Sequence, residues 1–244
     1  MLDPLRRLGR YALRKPQRAE RSPGEILSSL PQPFRSALLS MYAGDPQLGE
    51  DGERHSLDPI TGIRPAEGMW VYELCRKVKP QATLEIGLAY GFSTIYFLAA
   101  LAENGNGRHS SIDPYQRCAP GRWAGIGLAH GRRFGGDRFR FIEELSFAAL
   151  THLADQSERF DVIFVDGRHM FDLALTDFTL SAELCSTGGF IILDDTWLPS
   201  IQRVVAFIQA NRRDFTSVET PAANIAVFRH VGTDDREFKH FVEF

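Results

Sequence analysis

Residues 83–97 read TLEIGLAYGFSTIYF. An extended apolar run ends in Glu85-Ile86-Gly87, and a second apolar segment begins after Gly91. A strand, a glycine-containing turn and a helix would give this pattern. Helix N-termini after such turns commonly hold anionic groups, because free backbone N–H groups and the helix dipole point at the ligand. The stretch therefore predicts a ligand-binding turn.

Similar apolar runs, each bounded by turn signals, follow along the chain. They lie at 109–113, 139–144, 160–166 and 188–195. The clearest helical patterns lie at 66–79, 93–103, 171–185 and 199–211. Strands that alternate with helices predict right-handed crossovers and a mostly parallel sheet. Two last runs, 215–219 and 224–230, have no helix between them and are expected to pair antiparallel at the end of the sheet.

The composition is that of an ordinary globular protein. The chain has 244 residues, 43% of them hydrophobic and 24% charged, with a formal net charge of −3. This charge gives no electrostatic case for nucleic acid, and no apolar run reaches the roughly 18 residues of a transmembrane helix. The three cysteines lie far apart without CxxC spacing, which favours neither a disulfide framework nor a thiolate zinc site. A cytoplasmic location is therefore expected.

The N-terminal part differs from the rest. Residues 1–21 are locally basic and lack the apolar segment of a secretory signal, so we expect a solvated extension or an arm that contacts a partner subunit or an anionic surface. Residues 34–42 carry a helical pattern, and the Gly-, Pro- and Asp-rich residues 43–65 predict a long, lid-like loop. We therefore divide the chain into 1–65 and a main domain at 66–244. The N-terminal region is a candidate surface for a homo-oligomer.

Acidic residues close the predicted strands. They are Glu85, Asp113, Glu143, Glu144, Asp166, Asp194 and Asp195. A charged group at the end of an apolar run is costly unless solvent, a ligand or an ion meets it. In an open α/β sheet, ligands bind beyond the carboxyl ends of the strands, where the strand order reverses. A single such acid is usually a solvated carboxylate or a helix cap, but the whole set predicts a binding site.

Glu85-x-Gly87-x-x-x-Gly91 lacks the G-x-G-x-x-G spacing of dinucleotide-binding proteins. It resembles motif I of class I S-adenosylmethionine-dependent methyltransferases. VDGRHMFDLALTDF (165–178), followed by STGGFIILDD (186–195), resembles the small-molecule branch related to catechol-type and macrolide-sugar O-methyltransferases. The resemblance covers roughly residues 66–230. Together with the alternating pattern, it predicts a doubly wound, Rossmann-like α/β sheet of seven strands in the order 3-2-1-4-5-7-6, with strand 7 antiparallel.

The resemblance implies S-adenosylmethionine as cofactor and a set of residues that bind it. The set is Glu85, Gly87, Tyr90, Gly91, Ser93, Asp113, Glu144, Leu145, Ser146 and Asp166. The turn from 87 to 93 would hold the methionine part, with Glu85 orienting the turn or reaching the ammonium through water. Asp113 would accept hydrogen bonds from the ribose hydroxyls. Residues 144–146 would flank the adenine.

The resemblance also implies a metal site at Asp166, Asp194 and Asp195. Three neighbouring carboxylates repel one another, and a divalent cation with oxygen ligands relieves this. Such ligands favour magnesium, calcium or manganese over zinc. The alternative is that no metal binds and that Asp195 caps the turn before Trp197.

His169 is the candidate general base, because an ordinary histidine pKa of about 6.5 suits this role at neutral pH. Its alternative role is to cap the helix that follows. With a metal bound, Asp166 or His169 would only collect the proton of the acceptor. Asp166 and His169 are therefore the predicted catalytic residues.

The sequence thus predicts an enzyme that moves a methyl group from S-adenosylmethionine to a hydroxyl of a small molecule, with or without a divalent metal such as Mg²⁺. Neither nucleic acid nor a membrane span is expected. One alternative is a nicotinamide-dependent oxidoreductase, which the glycine spacing disfavours. Another is a non-catalytic scaffold that keeps the fold, which the intact acids at the strand ends disfavour.

Overall fold

A computed structural model describes residues 21–117 and 123–244. Its strands are β1 (Gln47–Leu48), β2 (Arg54–His55), β3 (Ala82–Ile86), β4 (Arg108–Ile112), β5 (Phe139–Ile142), β6 (Phe160–Val165), β7 (Cys185–Leu193), β8 (Phe215–Val218) and β9 (Ala226–His230). Seven of them form one sheet in the order β5-β4-β3-β6-β7-β9-β8. Strand β9 runs antiparallel to β7 and to β8, and the pairings from β5 to β7 are parallel. Counted within this sheet, the order is the predicted 3-2-1-4-5-7-6, so the predicted fold is confirmed.

The helices of the described residues are α1 (Pro23–Ile26), α2 (Phe34–Tyr42), α3 (Pro65–Val78), α4 (Phe92–Asn104), α5 (Ile126–Gly135), α6 (Ser146–Asp155), α7 (Phe171–Leu184) and α8 (Pro199–Asn211). Short 3₁₀ turns lie at Leu27–Ser29, Pro59–Thr61 and Gly136–Arg138. None of these helices has the length and hydrophobicity that a membrane crossing requires.

Helices cover both faces of the sheet, and β6 shows why its sequence is apolar throughout. Side chains of a strand point alternately to opposite faces. Val162 and Phe164 pack in a cluster with residues of α2 to α5, whereas Ile163 and Val165 pack in a second cluster with residues of α6 to α8. A central parallel strand is therefore buried on both sides, which is what the run VIFV at 162–165 provides.

The segment that precedes α3 packs onto the main domain. Leu27, Leu38 and Met41 are fully buried in the same cluster as Ile95 and Tyr96 of α4. Helix α2 confirms the predicted helix at 34–42. The division of the chain at residue 65 remains a prediction.

The predicted long loop at 43–65 contains more structure than expected. It holds the two-stranded ribbon β1–β2 and the 3₁₀ turn at Pro59–Thr61. The predicted basic arm at 1–21 lies outside the described residues, except for Arg21.

Strand β7 corrects the predicted element boundaries. It begins at Cys185, which the sequence pattern had included in the preceding helix, and it ends at Leu193. The pairing of β6 with β7 is irregular between Phe160 and Val162, and Gly188 there has a φ of +87°. This irregularity admits the extra residues at the start of β7. Because β7 ends at Leu193, Asp194 and Asp195 lie beyond the strand rather than within it.

Candidate active site

A cavity of about 1120 Å³ opens at the carboxyl ends of the parallel strands. Strand order reverses between β3 and β6, because β4 and β5 continue to one side and β7 to the other. Open α/β sheets bind their ligands at this position. The predicted site residues that line the cavity are Gly87, Asp113, Leu145, Ser146, Asp166, His169, Asp194 and Asp195. The cavity therefore contains both the predicted cofactor end and the predicted metal end of the site.

The turn after β3 depends on glycine at two positions. Gly87 has a φ of +99°, and a Cβ added there would lie 2.1 Å from the carbonyl oxygen of Asp166. Gly91 has a φ of +83°, and its Cβ would lie 3.0 Å from the Cα of Gly127 in α5. Both glycines thus allow the turn to approach other backbone segments, which a side chain would prevent.

Asp113 fixes this turn to the end of β4. Its Oδ2 accepts hydrogen bonds from the backbone N–H of Ala89 (2.9 Å) and from Nε2 of Gln116 (3.1 Å). Its Oδ1 accepts from the backbone N–H of Tyr115 (2.7 Å). Asp113 is buried against protein yet lines the cavity. It therefore presents a fixed carboxylate to a ligand there.

Glu85 lies behind the cavity wall rather than in it. It is fully buried and accepts hydrogen bonds from the hydroxyls of Ser93 (2.8 Å), Ser111 (2.5 Å) and Thr94. His109 Nε2 lies 3.2 Å from the same carboxylate. These contacts join β3, β4 and the first turn of α4, which agrees with the predicted role of Glu85 in orienting the turn.

Other predicted cofactor residues also lie outside the cavity lining as far as the chain is described. Gly91 and Ser93 belong to the support of the turn, and the ring of Tyr90 packs edge-on against Trp123 at 4.8 Å between centroids. Glu144 faces outward and pairs with His152 at 2.9 Å. Direct contact of these residues with the cofactor remains a prediction.

Two residues that the sequence did not single out add to the cofactor end. Arg168 lies over the ring of Tyr115, 5.5 Å from its centroid, and donates a hydrogen bond to its hydroxyl at 2.5 Å. Both line the cavity. Tyr115 follows the strand-end acid Asp113 by two residues, which is the only signal that could have drawn attention to it.

At the other end of the cavity, one imidazole lies between two carboxylates. Nε2 of His169 lies 3.3 Å from Oδ1 of Asp166 and 3.4 Å from Oδ2 of Asp195. Each of the three residues offers a ligand atom, and these atoms all lie within 4.8 Å of one another. The structure thus brings together both predicted catalytic residues and two of the three predicted metal ligands.

The charges of this group shift the pKa values of its members. Burial, with the charges of Asp195 and Glu85, raises the pKa of Asp166 to about 6, against the opposing effect of His169. Burial lowers the pKa of His169, but the hydrogen bond and charge of Asp166 and the charge of Asp195 outweigh burial, so the net shift is upward. Perturbed values of this kind are typical of functional sites.

Asp194, the third predicted metal ligand, is held differently. Its Oδ1 accepts hydrogen bonds from the backbone N–H of Asp195 (2.8 Å) and from Nδ2 of Asn224 (3.3 Å). Burial and the charges of Asp166 and Asp195 raise its pKa well above the ordinary value. Asp194 lines the cavity, but His169 takes its place in the group whose ligand atoms lie close together.

Asp195 adopts a left-handed backbone conformation, with a φ of +55°. Its Oδ1 accepts hydrogen bonds from Nε1 of Trp197 (2.7 Å) and from Nδ2 of Asn224 (3.1 Å). Residues other than glycine in this conformation are strained and cluster at functional sites. The other oxygen of Asp195, Oδ2, lies 3.4 Å from Nε2 of His169.

Glu67 is a further acid of this end that sequence analysis missed. It is buried in the first turn of α3, lines the cavity and accepts a hydrogen bond from the backbone N–H of Arg64 at 3.1 Å. Burial raises its pKa, with the charge of Asp195 adding to the effect. A proline at the first helical position with a glutamate two residues later is a helix-start signal, and it could have placed Glu67 but not its proximity to Asp195.

Comparisons with known proteins agree with this geometry. A family model described as a methyltransferase domain matches residues 84–196. The chain is 30% identical over 143 residues to a provisionally assigned O-methyltransferase of Mycobacterium sp. (strain KMS), which covers 56% of this chain and 61% of that relative. The chain spans about half the length of the curated relatives it matches.

Solved structures share the fold. The methyltransferase PaMTH1 of Podospora anserina, bound to S-adenosylhomocysteine, has a TM-score of 0.63 at 17% identity over 86% of this chain and 93% of its own. An O-methyltransferase of Bacillus cereus with S-adenosylhomocysteine has a TM-score of 0.61 at 19% identity over 84% and 94%. The O-methyltransferase TomG of Streptomyces achromogenes with S-adenosylmethionine has a TM-score of 0.58 at 20% identity over 85% and 95%.

The sequence motifs, the sheet topology and the relatives point the same way. Residues 84–196 match the methyltransferase-domain model, and the resemblance to class I S-adenosylmethionine-dependent O-methyltransferases predicted from the sequence is confirmed.

Proposed function

We propose that this protein transfers the methyl group of S-adenosylmethionine to a hydroxyl oxygen of a small molecule. One observation carries the proposal: a single cavity joins the carboxylate of Asp113 to the group formed by Asp166, His169 and Asp195. The first end suits a donor molecule with ribose hydroxyls. The second end suits a hydroxyl that must lose its proton.

The contacts of Asp113 fit a bound ribose. A carboxylate has about four lone-pair sites, and three hydrogen bonds from the protein occupy part of them. Oδ1, which accepts only from Tyr115 among these contacts, keeps capacity for a hydroxyl donor. Leu145 and Phe147 line the same cavity and are about half exposed. They offer apolar surfaces for the adenine ring of the cofactor.

The donor set of Asp166, His169 and Asp195 fits a divalent cation. Two carboxylate oxygens and one imidazole nitrogen lie close enough to share an ion, and such an ion would offset the repulsion between the carboxylates. Magnesium is the cation predicted from the acids, but a nitrogen ligand also admits manganese, iron or zinc. When bound, the cation would lower the pKa of the acceptor hydroxyl.

The chain's own residues supply positioning and proton transfer. Asp166 and His169 are the groups able to take the proton of the acceptor hydroxyl. Holding two reactants in line contributes up to about 7–11 kcal/mol, and a positioned base contributes about 10²–10⁴-fold in rate. Nε2 of His169 cannot bind a cation and take a proton at the same time, and one oxygen of Asp166 would bind the same ion, so metal binding would leave that proton to the second oxygen of Asp166.

Transfer from labelled S-adenosylmethionine to a panel of hydroxyl-bearing small molecules, read by mass spectrometry, tests the proposal. S-Adenosylhomocysteine should bind with micromolar affinity, about −8 kcal/mol, and nicotinamide dinucleotides should not compete. If a nicotinamide dinucleotide binds and S-adenosylhomocysteine does not, the protein is an oxidoreductase instead. Binding of S-adenosylhomocysteine without methyl transfer to any hydroxyl in the panel would favour the alternative of a non-catalytic scaffold that keeps the fold.

The cellular setting is a further part of the proposal. We place the protein in the cytoplasm, where the buried free thiols of Cys75 and Cys185 would remain reduced. The predictions of a homo-oligomer through the N-terminal region and of no nucleic-acid partner stand on the sequence alone. Size-exclusion chromatography with light scattering would test the first of them.

A further inference from the structure

Glu67 is a buried acid that the proposed reaction does not use. It lies in the first turn of α3, is 2% exposed and lines the cavity. Its Oε2 caps the helix by accepting a hydrogen bond from the backbone N–H of Arg64 at 3.1 Å. Glutamate is rarely buried without a partner. In residues 21–117 and 123–244, however, we find no ion pair of Glu67 and no hydrogen bond to its Oε1.

Two loops lie beside Glu67. Ile225, in the loop that precedes β9, belongs to the same apolar cluster as Ile63 and Met69, which precede and follow Glu67 in the chain. Burial raises the pKa of Glu67, and the charge of Asp195 adds to this effect, so the loop after β7 is near as well. Four polar residues of the cavity lining form what we call the acidic corner: Glu67, Asp194, Asp195 and Asn224.

The acidic corner is short of hydrogen-bond donors. Nδ2 of Asn224 is occupied, because it donates to Oδ1 of Asp194 at 3.3 Å and to Oδ1 of Asp195 at 3.1 Å. Within the described part of the chain, Oδ1 of Asn224 is a buried acceptor without a donor, and Oε1 of Glu67 is a second acceptor of this kind. Buried polar groups are costly unless they are hydrogen-bonded. The corner therefore favours a ligand that brings donors.

The charge of the acidic corner favours a cation over a neutral donor. A divalent ion at the proposed metal site would leave Asp194 and Glu67 outside its set of ligands, so their charges would keep attracting a positive group. An ammonium group combines one positive charge with three N–H donors. Glu67 is already removed from water in the folded protein, so binding incurs the cost of desolvation for the ligand alone.

We propose that Glu67 binds a protonated amino group of the methyl acceptor, so that the protein selects hydroxyl compounds that also carry an ammonium group. This inference rests on the proposed function, because it names the class of the acceptor. Oε2 fixes the carboxylate to the start of α3, and Oε1 accepts a hydrogen bond from the ammonium group. Glu67 is then a specificity-determining residue that contacts the acceptor.

Matched pairs of hydroxyl compounds test this inference. Each compound of the transfer panel is measured beside a partner in which a methyl group replaces an ammonium group, such as aminopropanol with butanol and meta-(aminomethyl)phenol with meta-ethylphenol. Mass spectrometry of the methylated products gives kcat/KM for both members of a pair. A hydrogen bond between charged groups corresponds to about 10- to 100-fold, so the wild-type protein should prefer the ammonium compound by at least about tenfold.

Glu67→Gln removes the charge but keeps a side chain that can cap the helix. Its two values of kcat/KM within a pair should differ by less than about threefold, because the lost charge no longer separates the two compounds. Glu25→Gln is the matched control, since Glu25 accepts the same capping hydrogen bond at the start of α1 but is exposed and lies outside the cavity lining. It should keep the preference of the wild type. If Glu67→Gln does not fold, Glu67→Met gives the same comparison.

The outcomes separate this inference from the proposed function. Methyl transfer by the wild type that does not favour the ammonium compound overturns the inference and leaves the proposed function intact. A preference that persists unchanged in the Glu67 variant does the same, because another residue then recognises the amino group. Transfer to no compound of the panel, with S-adenosylhomocysteine bound, overturns both.

Discussion

Nε2 of His169 lies 3.3 Å from Oδ1 of Asp166 and almost as close to Asp195. This arrangement makes a nitrogen, rather than the carboxylate of Asp194, the third potential ligand of a cation. The two aspartates that follow β7 both accept a hydrogen bond from Asn224, but it is Asp195 whose other oxygen lies 3.4 Å from the imidazole of His169.

The first prediction separates these two aspartates. Asp195→Asn should weaken the binding of Mn²⁺, measured by electron paramagnetic resonance, by at least about tenfold, because a charged ligand is lost. Asp194→Asn should change Mn²⁺ binding by a smaller factor, since Asp194 lies outside the group of ligand atoms that are close to one another, which Asp166, His169 and Asp195 form. The opposite ranking would restore Asp194 to the ligand set.

The second prediction concerns removal of the metal. A chelator should reduce methyl transfer, and added Mg²⁺ or Mn²⁺ should restore it, while binding of S-adenosylhomocysteine stays nearly constant. If the chelator has no effect and His169→Gln lowers turnover by about 10²-fold or more, the histidine acts as the base without a cation. Calorimetry of the ligand in chelator and in Mg²⁺ completes the comparison.

The third prediction tests the ribose contact. Asp113→Ala should weaken binding of S-adenosylhomocysteine by about 1.5–3 kcal/mol, the worth of hydrogen bonds to a charged group. Glu144→Ala should leave the affinity within about twofold, because this acid faces outward and pairs with His152. Unchanged affinity in Asp113→Ala would remove that residue from the site, and a large loss in Glu144→Ala would return it to the adenine pocket predicted from the sequence.

The fourth prediction concerns the turn after β3. Gly87→Ala should lower the free energy of unfolding by about 2–5 kcal/mol, because a positive φ costs about 1–2 kcal/mol and overpacking about 1–3 kcal/mol. Gly105→Ala is the matched control, since its φ is +75° but nothing lies within 4 Å of its Cβ. It should cost about 1–2 kcal/mol. Equal losses in urea denaturation would show that the approach of Asp166 to residue 87 can relax.

The fifth prediction is a pH dependence of stability. Burial, with the charge of Arg133, lowers the pKa of His130 to about 4. The unfolded chain takes up this proton near pH 6.5, before the folded chain does. Stability should therefore be complete above about pH 6.5 and should fall towards pH 4, by at most about 3 kcal/mol.

His130→Leu should flatten this part of the profile of unfolding free energy against pH. Phe134→Leu is the control, because the ring of Phe134 stacks on His130 at 5.9 Å but carries no proton. Its profile should run parallel to that of the wild type at lower stability. A His130→Leu profile parallel to the wild type would assign the acid sensitivity to other groups.

The sheet was predictable from sequence because its signals are local. The run at 162–165 is apolar at every position, and Gly87 and Gly91 mark the turn that follows the first strand of the large sheet. The start of β7 was not predictable, since it depends on an irregular pairing with Phe160 that only the folded sheet creates.

The residues of the candidate site also fall into some that were predictable from sequence and some that were not. Asp113, Asp166 and Asp195 end apolar runs and could be found by position, as could His169 by its motif. Glu67 could not, because it reaches the cavity from a helix far away in the chain, and its burial beside Asp195 is a tertiary property. Glu85 was predicted to be one of the cofactor-binding residues. Its burial beneath three hydroxyl groups was not predictable, because these hydrogen bonds form only when β3, β4 and α4 pack together.

The carbonyl oxygen of Asp166 occupies the space where a side chain at position 87 would begin. The turn after β3 and the residue that follows β6 are therefore two backbone segments in direct contact, and a shift of one would displace the other without any intermediate side chain. We therefore expect substitutions that change the proposed acceptor pocket, but not the proposed donor pocket, to be tolerated best away from this contact. The rim offers such freedom at Ile60, which lines the cavity and is 89% exposed, whereas Trp197 is tied to the site by its hydrogen bond to Asp195.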